Sequence, residues 1–215
     1  MIAGQIESQV LSIVEEINAA HGYKATVTEL QSNWFNTSGK VKVTVDIEEL
    51  GAQDSQGELD DFYIDFDIQA QHGPILTKGK NKLGLMQMSV TLAHDKLREH
   101  LAWSKDKALY GADVFTDILG NISYKDEIQA FTITDEENAL EVAFKGYQGE
   151  GILANDTLTY FGKSKPTNLS IEQAKMVIGE IDMSMVAAAS FAEMLQTGLY
   201  DSESKFTISS FTLSD

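Results

Sequence analysis

The side chains with the clearest capacity for chemistry are one histidine and the acidic residues before it. His72 closes the stretch FYIDFDIQAQHGP, in which Asp65 and Asp67 alternate with apolar residues, and Asp60 and Asp61 precede it. A histidine beside carboxylates can act as a general base or help to hold a metal ion. One alternative is therefore a hydrolase or metal-dependent enzyme that uses His72 and the nearby aspartates.

Recognised catalytic and metal-binding motifs are missing from the sequence. It contains no HExxH pair, no Gly-x-Ser-x-Gly motif, no calcium loop of the EF-hand type and no complete nucleotide-binding loop. His94 and His100 are six positions apart, a spacing that places them on opposite sides of a helix. The sequence therefore favours a protein that is not an enzyme, with no cofactor and no metal.

A second set of candidates consists of large apolar residues that alternation assigns to the inner face of a sheet. Methionine suits a surface that binds varied apolar ligands, because its side chain is flexible and polarizable. The same residues would also fill an ordinary core, and both interpretations stay open. The candidate apolar groove comprises Phe62, Phe66, Met86, Met88, Phe131, Phe144, Met183 and Met185.

Composition narrows the function classes. The chain has 215 residues and a formal net charge of −17, from 33 acidic and 16 basic residues. This charge opposes binding to nucleic acid and to anionic lipid headgroups, and it favours solubility. The sequence has no cysteine, no signal-peptide pattern at its start, and no run that approaches the ~20 apolar residues of a membrane-spanning helix.

Hydrophobic periodicity predicts the elements that must position these residues. Residues 5–20 have apolar residues at three- and four-residue steps, which predicts an amphipathic helix. The period then changes to two, which predicts nine or ten strands joined mainly by short links. The expected fold class is mainly β (α+β): an extended, curved, largely antiparallel sheet with an N-terminal amphipathic helix. We expect a single domain over residues 1–215, with the helix at about residues 5–21 and no internal repeat.

Local signals add several predictions. A short helix is predicted over 94–103, a hairpin turn at 125–127 and a turn over 147–151. Residues 170–198 are ambiguous between strand and helix, and we favour strand for the first part and a weak helix or loop over 186–196. Residues 206–213 are predicted to form one strand.

The tripeptide His72-Gly73-Pro74 is predicted to be a structural turn. Proline fixes φ, glycine permits a tight reversal, and the imidazole can bond to the backbone of the turn. This role needs no ligand and no catalysis.

Three short landmarks occur in order along the first part of the chain. They are Gly4-Gln5 with Glu7 in the helix, Trp34-Phe35-Asn36-Thr37-Ser38, and His72-Gly73-Pro74. In this order they resemble the N-terminal part of the YdgA-like bacterial envelope proteins (domain of unknown function 945), most closely over about residues 4–95. The resemblance implies a periplasmic protein, tethered to the inner membrane by a hydrophobic anchor absent from this sequence, and a chain that is a fragment of a longer one. It supplies no catalytic residues.

These observations lead to one preferred function and two alternatives. The preferred one is a non-enzymatic module of the periplasm or cell envelope that binds a protein partner or an apolar ligand along the sheet. The first alternative is a lipid-binding or lipid-transfer protein with an apolar groove, and the second is the hydrolase or metal enzyme above. The expected partner is an envelope protein or a lipid and not a nucleic acid, with membrane contact only through the absent anchor.

Overall fold

A computed structural model of the protein describes residues 2–19, 21–45, 62–77, 82–92, 96–99, 101–135, 139–188 and 201–214. The chain divides into two compact units, Met1–His94 and Asp95–Asp215. The single domain expected over residues 1–215 stays a prediction, because two compact units can still unfold as one cooperative domain.

The first unit combines a helix with antiparallel strands. Its elements are α1 (Ile2–Ala19), β1 (Tyr23–Ser32), β2 (Asn36–Val45), β3 (Phe62–His72), β4 (Ile75–Leu76), β5 (Lys82–Leu83) and β6 (Met86–Leu92). Strands β1, β2, β3 and β6 pair in that order, and β4 pairs with β5. The predicted N-terminal helix is confirmed.

The core of the first unit lies between α1 and one face of these strands. Its buried members are Val10, Val14, Ala25, Val41, Ile68 and Ala70. Asn18 fixes the end of the helix: its Nδ2 donates to the carbonyl oxygen of Ala25 at 3.0 Å, and its Oδ1 accepts from the Ala25 backbone N at 2.7 Å. The amide thus pairs with the backbone of β1 as a neighbouring strand would. Gly22 has a φ of 79°, which glycine adopts without steric cost.

The second unit is almost entirely β. After a 3-10 turn (Lys96–Glu99) its strands are β7 (Tyr110–Thr116), β8 (Ile122–Ile128), β9 (Phe131–Asp135), β10 (Leu140–Phe144), β11 (Tyr147–Ala154), β12 (Thr157–Ser164), β13 (Thr167–Ile171), β14 (Ala174–Ile178), β15 (Ile181–Ala188), β16 (Asp201–Ile208) and β17 (Phe211–Ser214). Of the helix predicted over 94–103, the described residues contain only the 3-10 turn, and Ala102 already makes a strand-like bridge to Thr132.

Two sets of antiparallel strands make up this unit. Strands β7, β8, β11, β12, β15 and β16 lie side by side in that order, and we call them the tyrosine strands. The second set is a five-stranded sheet in the order β17-β14-β13-β10-β9. The mainly β, antiparallel fold class is therefore confirmed.

Two residues separate each tyrosine strand except β7 from its continuation in the five-stranded sheet. We call these interruptions joints; they are Gln129-Ala130, Lys145-Gly146, Lys165-Pro166, Gly179-Glu180 and Ser209-Ser210. They divide five long runs into ten strands, and the two-residue strands β4 and β5 add two more. The described residues therefore form 17 strands where nine or ten were expected.

The joints interrupt the strands without changing their pairing. Between β11 and β12, Tyr147 pairs with Ser164 on one side of the joint; on the other side, Phe144 pairs with Thr167 in the same register. The backbone also bonds across the joints, where the N of Lys165 donates to the carbonyl oxygen of Gly146 at 2.9 Å. The five long runs are thus one antiparallel meander, crossed by a single line of joints.

The hairpin turn predicted at Lys125-Asp126-Glu127 is wrong, because these residues lie inside β8. Consecutive charges are tolerated there because neighbours point to opposite faces, and Lys125 meets Glu150 on β11 at 3.4 Å. The turn comes before β8, where Oδ1 of Asp117 accepts a hydrogen bond from the backbone N of Asn121 at 2.9 Å.

Three further local predictions are corrected. Residues 147–151, predicted to be a turn, begin strand β11. In the stretch 170–198, the strand favoured for the first part is confirmed by β13, β14 and β15. The weak helix or loop predicted over 186–196 is wrong at 186–188, which end β15, and its remainder lies outside the described residues. The strand predicted over 206–213 is divided by the joint Ser209-Ser210 into β16 and β17.

The second unit contains one short internal repeat, which becomes visible once the joints are known. When the joints Gln129-Ala130 and Ser209-Ser210 are superimposed in the sequence, FTITD at 131–135 aligns with FTLSD at 211–215. Lys125 and Ile128 of β8 then align with Lys205 and Ile208 of β16. The run β16–β17 therefore repeats β8–β9 in sequence, in joint position and in the order of its two strands.

Candidate functional site

The His72 side chain, at the end of β3, is only 2% exposed. Its Nδ1 is 3.2 Å from the carbonyl oxygen of Trp34, and its Nε2 is 3.0 Å from Oγ1 of Thr37. Since a carbonyl can only accept, Nδ1 carries the proton, and Nε2 accepts from the Thr37 hydroxyl. The Ser32 hydroxyl, 2.8 Å from Thr37 Oγ1, donates to Thr37 in turn. Both ring nitrogens are thus engaged inside the protein.

This network joins two landmarks that are far apart in sequence. The backbone N of His72 donates to the carbonyl oxygen of Phe35 at 2.8 Å, and the N of Gly73 donates to that of Leu85 at 3.2 Å. Gly73 has a φ of 120°, in the region that glycine tolerates best. The tripeptide His72-Gly73-Pro74 therefore links the β1–β2 hairpin to the residue before β6 through backbone hydrogen bonds.

The structure does not bring His72 together with the aspartates of its own strand. Side chains of β3 alternate between two faces, so His72 lies on the face under α1 and Asp65 and Asp67 lie on the opposite face. Across β2, their direct neighbours are Lys42 and Lys40. The sheet therefore separates the components of the predicted His–Asp site.

Exposed apolar side chains adjoin the His72 network at one end of the first unit. We call them the tip patch, which comprises Trp34, Phe35, Ile75, Leu83 and Leu85. Trp34 is 89% exposed, and Ile75 pairs with Leu83 between β4 and β5. A Cβ at Gly73 would stand 3.6 Å from the Phe35 ring, so the turn and the hairpin are in contact.

The hairpin that presents Trp34 and Phe35 has a fixed backbone. Oδ1 of Asn33 accepts from the backbone N of Phe35 at 3.0 Å and from that of Asn36 at 2.9 Å. The backbone N of Asn33 also donates to the carbonyl oxygen of Asn36 at 2.8 Å. Together with the hydrogen bond from His72 to the Trp34 carbonyl, these contacts fix the backbone that carries the exposed rings of Trp34 and Phe35.

Charge is unevenly distributed around the tip patch. Residues 31–38, 71–77 and 83–87 contain neither aspartate nor glutamate, although the chain has a net charge of −17. Lys78 and Lys80 fall between β4 and β5 in the sequence and lie outside the described residues. A negatively charged surface that approaches these segments meets little repulsion from carboxylates.

Four of the groove candidates lie in the first unit. Met86 and Met88 of β6 pack against the core beneath α1. Phe66 lies on β3, half-buried, between Val41 of β2 and Leu92 of β6. The side chain of Phe62 lies outside the described part of the structure. The two methionines here fill a core and do not line an open groove.

The other four groove candidates belong to different strand sets of the second unit. Phe131 and Phe144 face each other across β9 and β10, with ring centroids 5.1 Å apart. Met183 and Met185 lie on β15, among the tyrosine strands. All four side chains are half-buried. The candidate apolar groove stays a prediction, and within the second unit its four members lie in two different strand sets.

The tyrosine strands bring four tyrosines and an aspartate to one face, a cluster that sequence reasoning missed. Its members are Tyr110, Tyr124, Asp126, Tyr147 and Tyr160. The hydroxyl of Tyr147 donates to that of Tyr160, which donates to Oδ1 of Asp126 at 3.2 Å. The rings of Tyr124 and Tyr160 stack with centroids 5.5 Å apart and planes 7° apart.

Glycines make room for these rings on the sheet surface. Gly151 stands between Tyr124 and Tyr160 in the pairing register, and a Cβ there would be 2.6 Å from Cζ of Tyr124. Gly149 pairs with Gly162 beneath the meeting hydroxyls. The sequence signal for the cluster was the alternation of Tyr147, Gly149 and Gly151. Seen alone, this pattern is compatible with a strand and with a turn.

Burial controls the electrostatics of the cluster. It raises the pKa of the Asp126 carboxyl, an effect that the hydrogen bond from Tyr160 opposes. Burial likewise raises the pKa of Tyr124 to about 12, and it is the largest cause of the raised pKa of Tyr160, ahead of the bond with Tyr147. The hydroxyls therefore stay protonated at neutral pH and act as hydrogen-bond donors, not as activated nucleophiles.

Among the described residues, there is neither a cluster of metal ligands nor a membrane-spanning helix. No three histidine, aspartate or glutamate side chains among them come together as a metal site. Asp60, Asp61, His94 and His100 lie outside the described residues. In the part of the chain that the structure describes, no helix has the length and apolar character needed to span a bilayer.

Comparison with known proteins gives one match. Over residues 1–215 the sequence matches the family described as bacterial protein of unknown function (DUF945). No curated protein and no solved structure matches the chain. Because the match covers every residue, the chain belongs to the DUF945 family of bacterial proteins.

Proposed function

We propose that this protein is a non-enzymatic binding module of the periplasm that docks on a lipid–water interface through the tip patch. The exposure of Trp34 carries the proposal: its ring is 89% exposed on a hairpin that the buried His72 holds in place. A rigid, exposed apolar patch is typical of an interaction site, because the cost of exposing it to water is recovered on binding.

The chemistry of the tip patch favours lipid. Tryptophan accumulates at the level of lipid headgroups, where one part of the ring is apolar and the N–H stays hydrated. Ile75 and Leu83 in the same patch offer aliphatic surface, and the segments 31–38, 71–77 and 83–87 contain no carboxylate. A protein with a charge of −17 can approach a bilayer most easily through such a region.

The alternatives receive less support. An acyl-binding groove in the first unit would need Met86 and Met88 free to contact lipid, but they pack against the core under α1. A hydrolase or metal site would need His72 beside carboxylates, but Asp65 and Asp67 lie across the sheet from it. Binding at the surface of a bilayer needs neither arrangement.

Vesicle binding tests this proposal. We expect the protein to sediment with phosphatidylcholine vesicles, with a blue shift of tryptophan emission as Trp34 leaves water. Trp103, only 8% exposed, contributes little to that shift. Trp34→Ala should weaken sedimentation about tenfold or more, since ~1.4 kcal/mol of lost burial already has that effect.

Phe161→Ala is the matched control, because Phe161 is an exposed aromatic residue of β12, in the second unit. It should sediment like the wild type. Anionic phosphatidylglycerol in the vesicles tests the role of charge, and it should not be required for binding. The proposal fails if the wild type does not sediment, or if Trp34→Ala and Phe161→Ala reduce sedimentation equally.

A further inference from the structure

Strands β16 and β17 form an open edge of the second unit. β16 ends the row of tyrosine strands and β17 ends the five-stranded sheet, and no described strand pairs with the outer side of either. Large apolar side chains are exposed along this edge: Phe206, Ile208, Phe211 and Leu213. An edge with free backbone groups and apolar side chains can accept another strand.

Two apolar rows of the five-stranded sheet run into this edge. In the five-stranded sheet, Phe211 continues a row that passes through Phe144 and Ile178, and Leu213 continues one through Val142 and Met176. Leu213 is 66% exposed where its row ends. One further strand would cover both side chains.

The internal repeat indicates which strand fits. β16–β17 repeats β8–β9, and the run that pairs with β8–β9 is β10–β11. There, Val142 lies opposite Ile133, and Gly149 lies opposite Asp126. The residues at the positions of Ile133 and Asp126 in the open edge are Leu213 and Phe206. Phe206 is larger than aspartate, so a glycine opposite it suits this edge well.

We propose that the β16–β17 edge binds a jointed β-strand of a partner polypeptide, with the pattern of β10–β11. Its first arm carries apolar residues at alternate positions, as in LEVAF at 140–144. Two residues then match the joint Ser209-Ser210, and its second arm carries small residues at alternate positions, as in YQGEG at 147–151. The partner strand runs antiparallel and adds to both strand sets at once.

A synthetic peptide with the sequence of residues 140–151, LEVAFKGYQGEG, is the probe. Its binding to the full-length chain is measured by fluorescence anisotropy of a dye on the peptide. We expect saturable binding, weakened about tenfold or more by Leu213→Lys, because a lysine on an edge strand opposes pairing with an apolar row. Val177→Lys is the matched control: Val177 is an exposed apolar residue of β14 on the opposite face of the same sheet, and this variant should bind normally.

A shortened peptide tests the joint. Deletion of the two residues that correspond to Lys145-Gly146 leaves only one arm able to pair in register, so affinity should fall about tenfold or more. Circular dichroism confirms that both protein variants are folded. The proposal is overturned if the peptide does not bind the wild-type chain, or if the Leu213→Lys variant binds the peptide as tightly as the Val177→Lys variant. It is also overturned if Leu213→Lys leaves peptide binding unchanged and disrupts only the association of the chain with itself.

Discussion

At the residue scale, His72 connects three segments of the first unit. Its ring binds Thr37 and the carbonyl of Trp34, and its backbone binds Phe35, while Ser32 completes the chain of hydroxyls. Because these partners lie on a hairpin far away in sequence, the imidazole determines where the tip patch stands. It leaves no free lone pair for a substrate or a metal ion.

We predict that His72→Ala destabilises the protein by about 2–4 kcal/mol, since it creates a cavity and leaves the Thr37 hydroxyl with one bond fewer. The free energy of unfolding is measured by urea denaturation. Thr37→Ala serves as the control in a double-mutant cycle: the double variant should lose less than the two single losses together, because both remove the same bond. Additive losses would contradict the network.

Asp126 should make stability depend on pH. Burial raises its pKa in the folded protein above the ordinary 3.8, so the folded state holds its proton more tightly than the unfolded state. The protonated carboxyl of Asp126 therefore contributes stability at pH values below the unfolded-state pKa. This contribution is lost as the pH rises through the folded-state pKa. The Asp126→Asn variant does not lose this stability as the pH rises, because its amide does not ionise. Its amide oxygen can still accept the hydrogen bond from the Tyr160 hydroxyl.

We therefore expect the stability of Asp126→Asn, relative to the wild type, to increase as the pH rises from about 4 to about 7. Urea denaturation at several pH values measures the difference. A difference that stays constant or decreases over this interval would contradict a raised pKa for Asp126.

At the element scale, the tyrosine strands show why β11 contains glycine at alternate positions. Tyrosine rings lie across the sheet surface, and a side chain under a ring would collide with it. An alanine in a strand normally gains stability over glycine, because glycine loses more backbone freedom on folding. At Gly151 the collision should outweigh that gain.

We predict that Gly151→Ala lowers the free energy of unfolding by about 1–3 kcal/mol, the usual cost of overpacking. Urea denaturation is again the measurement. Adding Tyr124→Ala removes the ring that stands 2.6 Å from the new Cβ, and should recover part of the Gly151→Ala loss relative to Tyr124→Ala alone. If no part is recovered, the ring is not the cause.

The elements predicted correctly are those whose side-chain pattern records their own burial. Helix α1 has an apolar stripe, and β2 and β3 alternate without interruption, because each buries one face against a single core. The joints are different. No residue type is common to Lys145-Gly146, Lys165-Pro166 and Ser209-Ser210, since their position depends on pairing with neighbouring strands and not on local chemistry.

At the scale of the whole molecule, the candidate sites were only partly predictable for a similar reason. The sequence identified His72-Gly73-Pro74 and Trp34-Phe35 as landmarks, but not that hydrogen bonds join them across β2 and β3. The tyrosine cluster depends on pairing across four strands, so its members are scattered from Tyr110 to Tyr160. Local patterns reveal which face a residue occupies, whereas such clusters depend on which strands become neighbours.

The line of joints also has a consequence for how this family could change in length. Each hairpin of the second unit crosses the line twice and returns in the same register. Gain or loss of a complete hairpin would leave every remaining pair intact, whereas one extra residue within an arm would turn its side chains to the wrong face. Relatives should therefore differ in this region by whole hairpins, because an added hairpin extends the existing sheets and needs no new hydrophobic core.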